Sequence, residues 1–107
     1  MQRYNLLEFT GGWVVGDFIP SILRTKDAEV AIKRYKAHDS ESDHTHKIAD
    51  EITIVVDGIV RMNGIILTQN SIVHIKAGES ADFQALTNAT TCVIKLPSVI
   101  GDKYPVL

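Results

Sequence analysis

The sequence predicts an all-β fold of short antiparallel strands, and three observations support this prediction. β-Branched residues, which fit strands well, cluster in four runs: EITIVV, GIIL, SIVHI and TTCVIKL. The dipeptides Asp57-Gly58 and Asn63-Gly64 lie between such runs, and both favour the left-handed conformations of tight hairpin turns. Because the turns follow one another closely, the strands must be short and neighbouring strands must run antiparallel.

The segment from 51 to 67 is predicted to be a meander of three strands with turns at the two dipeptides. AEVAIKRYK, before it, is predicted to be a strand rather than a helix because Val30, Ile32 and Tyr35 favour strands. SIVHI and TTCVIKL add further strands after it. An open sheet of this kind leaves unpaired edges, so we expect the strands to close into a sandwich or barrel.

The run ITIVV is apolar on both faces of its predicted strand. One face can line the interior of the barrel, whereas the other needs a further layer to cover it. The N-terminal segment or a second copy of the chain could supply that layer. On this basis the sequence predicts a homodimer.

A chain of 107 residues suits a single domain. Residues 1–27, which include GGWVVGDFIP, are predicted to form an N-terminal arm. Residues 28–96 are predicted to form the barrel core. Residues 97–107 hold two prolines and a glycine and are predicted to form an extended C-terminal tail.

The composition argues against several classes of protein. The net charge of −2 leaves no basic footprint for nucleic acid, and no run of lysine or arginine suggests a membrane surface. The one cysteine, Cys92, cannot form an intrachain disulfide and is expected to pack as a small apolar residue. We see no signal peptide and no bilayer-spanning stretch, so a cytoplasmic protein without nucleic-acid or membrane partners is expected.

HTHKIADE, at 44–51, is the segment with the most chemical content. Residues two apart on a strand point to the same face, so His44 and His46 can direct two imidazoles into one site. Glu51 opens the next strand and can return beside them. Two imidazoles and one carboxylate suit iron, manganese, nickel, copper or zinc. The alternative is a solvated polar loop.

The wider spacing is H-x-H-x4-E-x6-G, and it resembles the first signature motif of the cupin superfamily. His44, His46, Glu51 and Gly58 match this motif position by position, and the resemblance covers about residues 28–96. It implies an antiparallel jelly-roll β-barrel that holds a divalent transition metal at His44, His46 and Glu51.

The chain also departs from the cupin pattern. His38 stands where the first motif begins with glycine. The second motif, G-x5-P-x-G-x2-H-x3-N, falls on Asn70, Lys76, Gly78, Ala81 and Ala85, and only Gly78 is kept. Asparagine tolerates the positive φ of a turn glycine, but Ala81 removes the usual fourth metal ligand. Either a three-ligand site with an extra open position binds metal, or the site is degenerate and the barrel binds a ligand without metal.

Three further residues are candidates for contacting a substrate. Thr53 should face inward with Glu51, and Phe83 should face inward with Ala81, as core or as a stacking surface. Arg34 shares the apolar face of its strand and either snorkels outward or binds an anionic ligand.

Other polar and aromatic residues are expected to be structural. Asp82 should point away from the barrel if Ala81 points into it. His38 is expected to be a turn residue, and His74 a partly exposed strand residue. Trp13 and Phe18 are expected to plug one end of the barrel or a dimer seam rather than to stack on a sugar.

Two functions are consistent with these features. The first is a small metal-dependent cupin enzyme acting on a small polar metabolite, such as a hydroxy acid, a keto acid or a sugar derivative. The alternative is a non-catalytic cupin that binds a sugar or nucleotide-sugar at a degenerate metal site. A purely structural role is the third possibility, and retained metal would count against it.

Overall fold

The computed structural model describes residues 1–107 and contains eleven strands and two 3-10 turns. The 3-10 turns are Leu6–Glu8 and Thr10–Gly12. The strands are β1 Trp13–Gly16, β2 Leu23–Arg24, β3 Glu29–Tyr35, β4 Ser40–Thr45, β5 Asp50–Asp57, β6 Val60–Met62, β7 Ile65–Leu67, β8 Ile72–Ile75, β9 Ser80–Ala85, β10 Ala89–Leu96 and β11 Tyr104–Pro105.

The strands form two sheets, as an antiparallel jelly roll requires. One sheet has six strands in the order β2-β1-β3-β10-β5-β8, and the other has five in the order β11-β4-β9-β6-β7. All pairings are antiparallel except the short contact between β1 and β2. The predicted all-β class is confirmed, and so is the prediction that AEVAIKRYK is a strand.

The prediction of a continuous meander from 51 to 67 is wrong at its first turn. β5 belongs to the six-stranded sheet and β6 to the five-stranded sheet, so Asp57-Gly58 carries the chain from one sheet to the other. Its backbone is left-handed at Gly58, with φ 86°, but no hairpin forms there. Asn63-Gly64 does close a two-residue hairpin, in which Met62 pairs with Ile65.

Both ends of the chain add strands to the barrel. In the N-terminal arm, Trp13–Gly16 pairs with β3. In the C-terminal tail, Tyr104–Pro105 pairs with β4, the strand that carries His44. Neither short strand was apparent from the sequence, because each is only a few residues long and depends on a partner distant in the chain.

The apolar core lies between the two sheets towards one end of the barrel. Its seven buried residues are Val55, Val60, Met62, Ala81, Phe83, Ala85 and Ala89. Along β5 the buried residues alternate as Glu51, Thr53 and Val55, so this strand runs from a polar end to the core. Its opposite face is only half-covered, and Val56 is 45% exposed.

The turn residues follow the expected backbone preferences. His38 and Asn70 are left-handed, with φ of 76° and 77°, which confirms that His38 is a turn residue and that Asn70 takes the role of a turn glycine. Cys92 is half-buried, and burial raises the pKa of its thiol. Neither of the two 3-10 turns is long and apolar enough to cross a membrane.

Gly58 and Gly64 permit a matched test of the turn between the sheets. A Cβ at Gly58 would lie 2.3 Å from the Asn88 carbonyl oxygen, whereas one at Gly64 would meet nothing within 4 Å. Both residues have positive φ, so alanine at either position costs about 1–2 kcal/mol of strain. We expect Gly64→Ala to cost that much and Gly58→Ala about 3 kcal/mol or more, measured by urea denaturation. Equal losses would contradict the close approach at Gly58.

Candidate metal centre

Two strands that follow one another in the chain, one in each sheet, bring His44, His46 and Glu51 together. His44 lies in β4, His46 follows the end of that strand, and Glu51 opens β5 after a tight turn. One potential ligand atom from each residue lies within 4.8 Å of the others. The two imidazole rings are 5.1 Å apart and nearly perpendicular. The polar-loop alternative is wrong for this segment, because His46 and Glu51 are only 4% and 8% exposed.

Backbone carbonyls determine which nitrogen of each histidine can bind a metal. The Nδ1 of His44 lies 3.0 Å from the carbonyl oxygen of Ser42, and the Nδ1 of His46 hydrogen-bonds to the carbonyl oxygen of Asp102. A carbonyl oxygen can only accept, so each Nδ1 must carry the donated proton. The Nε2 lone pair of each neutral ring is then available, which is the usual arrangement of metal-binding histidines.

Glu51 is the anionic member of the group. Its Oε2 accepts a hydrogen bond from the Thr53 hydroxyl at 3.1 Å, and its Oε1 lies 3.4 Å from the Nε2 of His46. Burial raises the pKa of Glu51, but His46, Lys95 and the Thr53 hydroxyl together outweigh burial and leave that pKa below its ordinary value. The side chain is therefore a carboxylate at neutral pH.

The donor set fits a divalent transition metal. The Nε2 of His46 is buried and, apart from the 3.4 Å contact with Glu51 Oε1, has no polar partner in the protein; a buried nitrogen of this kind normally has an ion or water as its partner. The Glu51 carboxylate raises the pKa of His46, although burial acts in the opposite direction. A proton therefore competes with a metal ion for this nitrogen more strongly than at an ordinary histidine, and binding of the ion would displace it.

Asp102, in the C-terminal tail, holds the turn between the ligands. Its buried carboxylate accepts hydrogen bonds from the backbone N–H groups of Lys47, Ile48 and Ala49, at 2.9 to 3.2 Å. Burial raises the pKa of Asp102, but these hydrogen bonds, led by that of Ala49, leave the pKa below its ordinary value. One residue thus holds the turn with its side chain and orients His46 with its carbonyl.

The position at which the cupin motif carries its fourth metal ligand, Ala81 in this chain, lies beside His44. Ala81 is buried and pairs with His44 across β4 and β9, so a longer side chain at 81 would point towards the same site. Asp82 is exposed and accepts a hydrogen bond from the Asn63 N–H at 2.6 Å, but it also lies at the edge of the cavity described below. His74 lies outside the site, half-exposed and 2.8 Å from an Asp50 carboxylate oxygen.

A cavity of ≈ 170 Å³ opens beside the candidate ligands. Thr53 and Phe83 line it, as predicted, and Phe83 packs against Tyr35 with ring centroids 4.4 Å apart. Trp13 is part of the cavity wall.

Arg34 does not line this cavity. The prediction that Val30, Ile32 and Arg34 lie on the inward face of their strand is wrong. Ala31 is fully buried, and Lys33 and Tyr35 line the cavity, so Val30, Ile32 and Arg34 face outward. Ile32 and Arg34 instead border a separate groove with the N-terminal 3-10 segment. The N-terminal 3-10 segment lies against the outer face of β3, which explains why that face is apolar. The sequence pattern predicted that this apolar face points into the barrel.

The cavity contains several charged residues that sequence analysis missed. Lys33, Glu41, Lys95 and Lys103 all line it. Alternation along the strand TTCVIKL could have placed Lys95 on the same face as Thr91 and Val93, and all three line the cavity. No local pattern could have identified Lys103, which depends on the path of the tail.

Comparisons with known proteins identify the fold. No protein-family model matches the chain, and no curated protein matches it significantly. Solved structures do match. A protein with a double-stranded β-helix domain from Klebsiella pneumoniae gives a TM-score of 0.65 at 19% identity, over 72% of this chain and 69% of that chain.

Two further structures extend this similarity. A cupin protein from Bacteroides fragilis gives a TM-score of 0.61 at 20% identity, over 71% of this chain and 70% of that chain. The bacterial pirin YhhW from Escherichia coli, solved in complex with nickel(II), gives 0.66 at 18% identity, over 81% of this chain and 39% of that chain. At such identities the likeness establishes the fold and not an activity. The chain is therefore a small protein with the cupin fold, the double-stranded β-helix.

Proposed function

We propose that this protein is a metal-dependent cupin that acts on a small polar metabolite, with one divalent transition metal held by His44, His46 and Glu51. The observation that carries the proposal is the pair of Nδ1 hydrogen bonds to backbone carbonyls, which leaves both Nε2 atoms available. The buried Nε2 of His46 supports it further, because its one contact is with the other proposed ligand, Glu51, and is longer than a hydrogen bond with good geometry. The donor set suits iron, manganese, nickel, copper or zinc, and the E. coli pirin, which shares this fold, was solved in complex with nickel(II).

When bound, such an ion can polarise a carbonyl or activate water. The chain's own residues then orient the ligands and hold the substrate. Thr53 fixes the Glu51 carboxylate, and Asp102 fixes His46. Burial, with the nearby Glu41 and Glu51 charges, raises the pKa of Tyr35, so its hydroxyl stays protonated as it donates to Glu41 at 3.2 Å.

The second candidate function is non-catalytic binding of a small ligand, such as a sugar or nucleotide-sugar. Ala81 favours it, because the usual fourth ligand is missing beside His44. Ligand affinity that survives removal of all metal would support this function over the first.

We also propose that the protein is a cytoplasmic homodimer, as the sequence suggests. Support for the dimer comes from exposed apolar side chains along neighbouring strands of the six-stranded sheet, where Val56 is 45% and Ile72 is 64% exposed. Sedimentation equilibrium tests this assembly directly.

Metal content tests the proposed function. We expect untagged protein to hold about one transition metal ion per chain by mass spectrometry, and a His44→Ala/His46→Ala variant to hold none. The matched control is His38→Ala/His74→Ala, which removes two histidines outside the site and should keep the metal. Conversely, Ala81→His should bind the ion more tightly because it restores a fourth ligand. Absence of metal after reconstitution, or equal loss in the control, would contradict the proposal.

Asp102→Asn tests the support of the site. The amide keeps one acceptor oxygen but turns an NH2 group towards backbone N–H donors, so we expect about 2–3 kcal/mol less stability to urea. Looser orientation of His46 should weaken metal affinity by about 10-fold or more, measured by competition with a chelator. Asp57→Asn, at an exposed position, is the control. An unchanged metal affinity in Asp102→Asn would show that the metal centre does not depend on the hydrogen bonds between the Asp102 carboxylate and the turn.

A further inference from the structure

Three lysines from separate parts of the chain surround the cavity beside the metal centre. Lys33 lies on β3, Lys95 on β10, and Lys103 in the tail just before β11. All three line the same cavity as His44 and Glu51. Lysine ammonium groups are strongly hydrated, and they are seldom buried unless they are paired with a negative charge.

The three lysines differ in how far the protein already neutralises them. Lys33 is paired, with its Nζ 2.8 Å from Glu41 Oε1. Lys95 is more buried, with a side chain only 16% exposed, and its one ion pair is a long contact of 4.0 Å with Glu29. The Glu29 carboxylate is shared, because its other oxygen accepts from the Ser98 hydroxyl at 3.0 Å. Lys103 makes no ion pair.

The position of Lys95 connects it to the metal centre. In the sheet it pairs with Glu29 on one side and with Glu51 on the other, and directly opposed residues have Cβ atoms about 5 Å apart. Burial lowers the pKa of Lys95, although Glu29 and Glu51 partly offset this. The Lys95 ammonium also lies 5.1 Å from the centroid of the Trp13 ring, whose face attracts cations. Trp13 thus closes the cavity wall beside an ammonium group that makes no hydrogen bond within the protein.

The charge of the cavity indicates the charge of its ligand. The charged side chains that line it are three lysines, two glutamates and Asp82, and these charges cancel. A divalent ion at His44, His46 and Glu51 would leave the cavity with two uncompensated positive charges. A ligand with two negative charges would restore neutrality, and the cavity of ≈ 170 Å³ restricts it to a few carbon atoms.

We propose that the cavity binds a small dicarboxylate, with one carboxylate facing the metal and the other held by Lys95, assisted by Lys103 at the mouth. This inference rests on the proposed function for the metal and adds the class of substrate. The ammonium of Lys95 supplies charge-assisted hydrogen bonds to a carboxylate. Specificity for two carboxylates over one therefore depends on a residue that is not a metal ligand.

Malate and lactate give a matched pair of probes, because both are 2-hydroxy acids and only malate has a second carboxylate. We expect nickel-reconstituted protein to bind malate about 10-fold or more tightly than lactate by calorimetry. Lys95→Met should remove this preference while metal content stays unchanged, and Lys95→Arg should keep most of it. Lys36→Met, at an exposed position outside the cavity, is the control. Equal affinities in the wild type, or a preference that survives in Lys95→Met, would overturn the proposal.

Lys95→Met leaves Glu29 without its ion-pair partner and could therefore misfold. A second variant tests the proposal without disturbing that pair. Lys103→Met is exposed and should reduce the malate preference by a smaller factor without altering thermal stability. The same titrations in chelator-treated protein separate the two proposals. If the protein holds no metal, the proposed function fails, whereas a Lys95-dependent preference for malate would still support the dicarboxylate site. Equal affinities for malate and lactate in both the metal-loaded and the chelator-treated protein would overturn the dicarboxylate proposal.

Discussion

The candidate site depends on Asp102, which joins the end of the chain to the turn between the ligands. Its carboxylate accepts from three consecutive backbone N–H groups, and its carbonyl accepts from His46. Hydrogen bonds to a buried carboxylate are stronger than neutral ones, and a turn held by three of them has little freedom to move. β11 follows directly and pairs with the strand that bears His44. The tail therefore fixes both histidines, although it contains no metal ligand itself.

This arrangement places the candidate metal centre at the polar end of a barrel whose other end is an apolar core. Val55 and Val60 belong to that core, whereas Glu51, four residues before Val55, belongs to the candidate site. The absence of a histidine at Ala81 leaves the cavity side of the centre open. Lys95 and Trp13 line the same cavity as Ala81, and this is the cavity in which we propose that a substrate is held.

Much of the fold could be predicted from the sequence, because β-branched runs and glycine turns are local signals. The His44, His46 and Glu51 cluster was also predicted, from the H-x-H-x4-E spacing and its resemblance to the cupin motif, although the two strands that bring it together lie in different sheets. The predictions that were wrong, or were not made, concern features set by residues distant in the sequence. Asp57-Gly58 has the sequence of a hairpin turn, but the second sheet determines where the chain goes next. The apolar outer face of β3 suggested the wrong parity for Arg34, because the N-terminal segment borders that face. Asp102 gave no local signal, since its role comes from contacts more than fifty residues away.

The central claim is that both histidines bind a metal through Nε2 because backbone carbonyls occupy both Nδ1 atoms. The most direct measurement is a crystal structure of the metal-loaded protein, with anomalous diffraction collected at the absorption edge of the bound metal. We expect one anomalous peak, about 2.0–2.2 Å from both Nε2 atoms and from a Glu51 carboxylate oxygen. The side of the ion facing Ala81 should then be open to water or ligand. A peak at another site, or coordination through Nδ1 with the carbonyl hydrogen bonds broken, would contradict it.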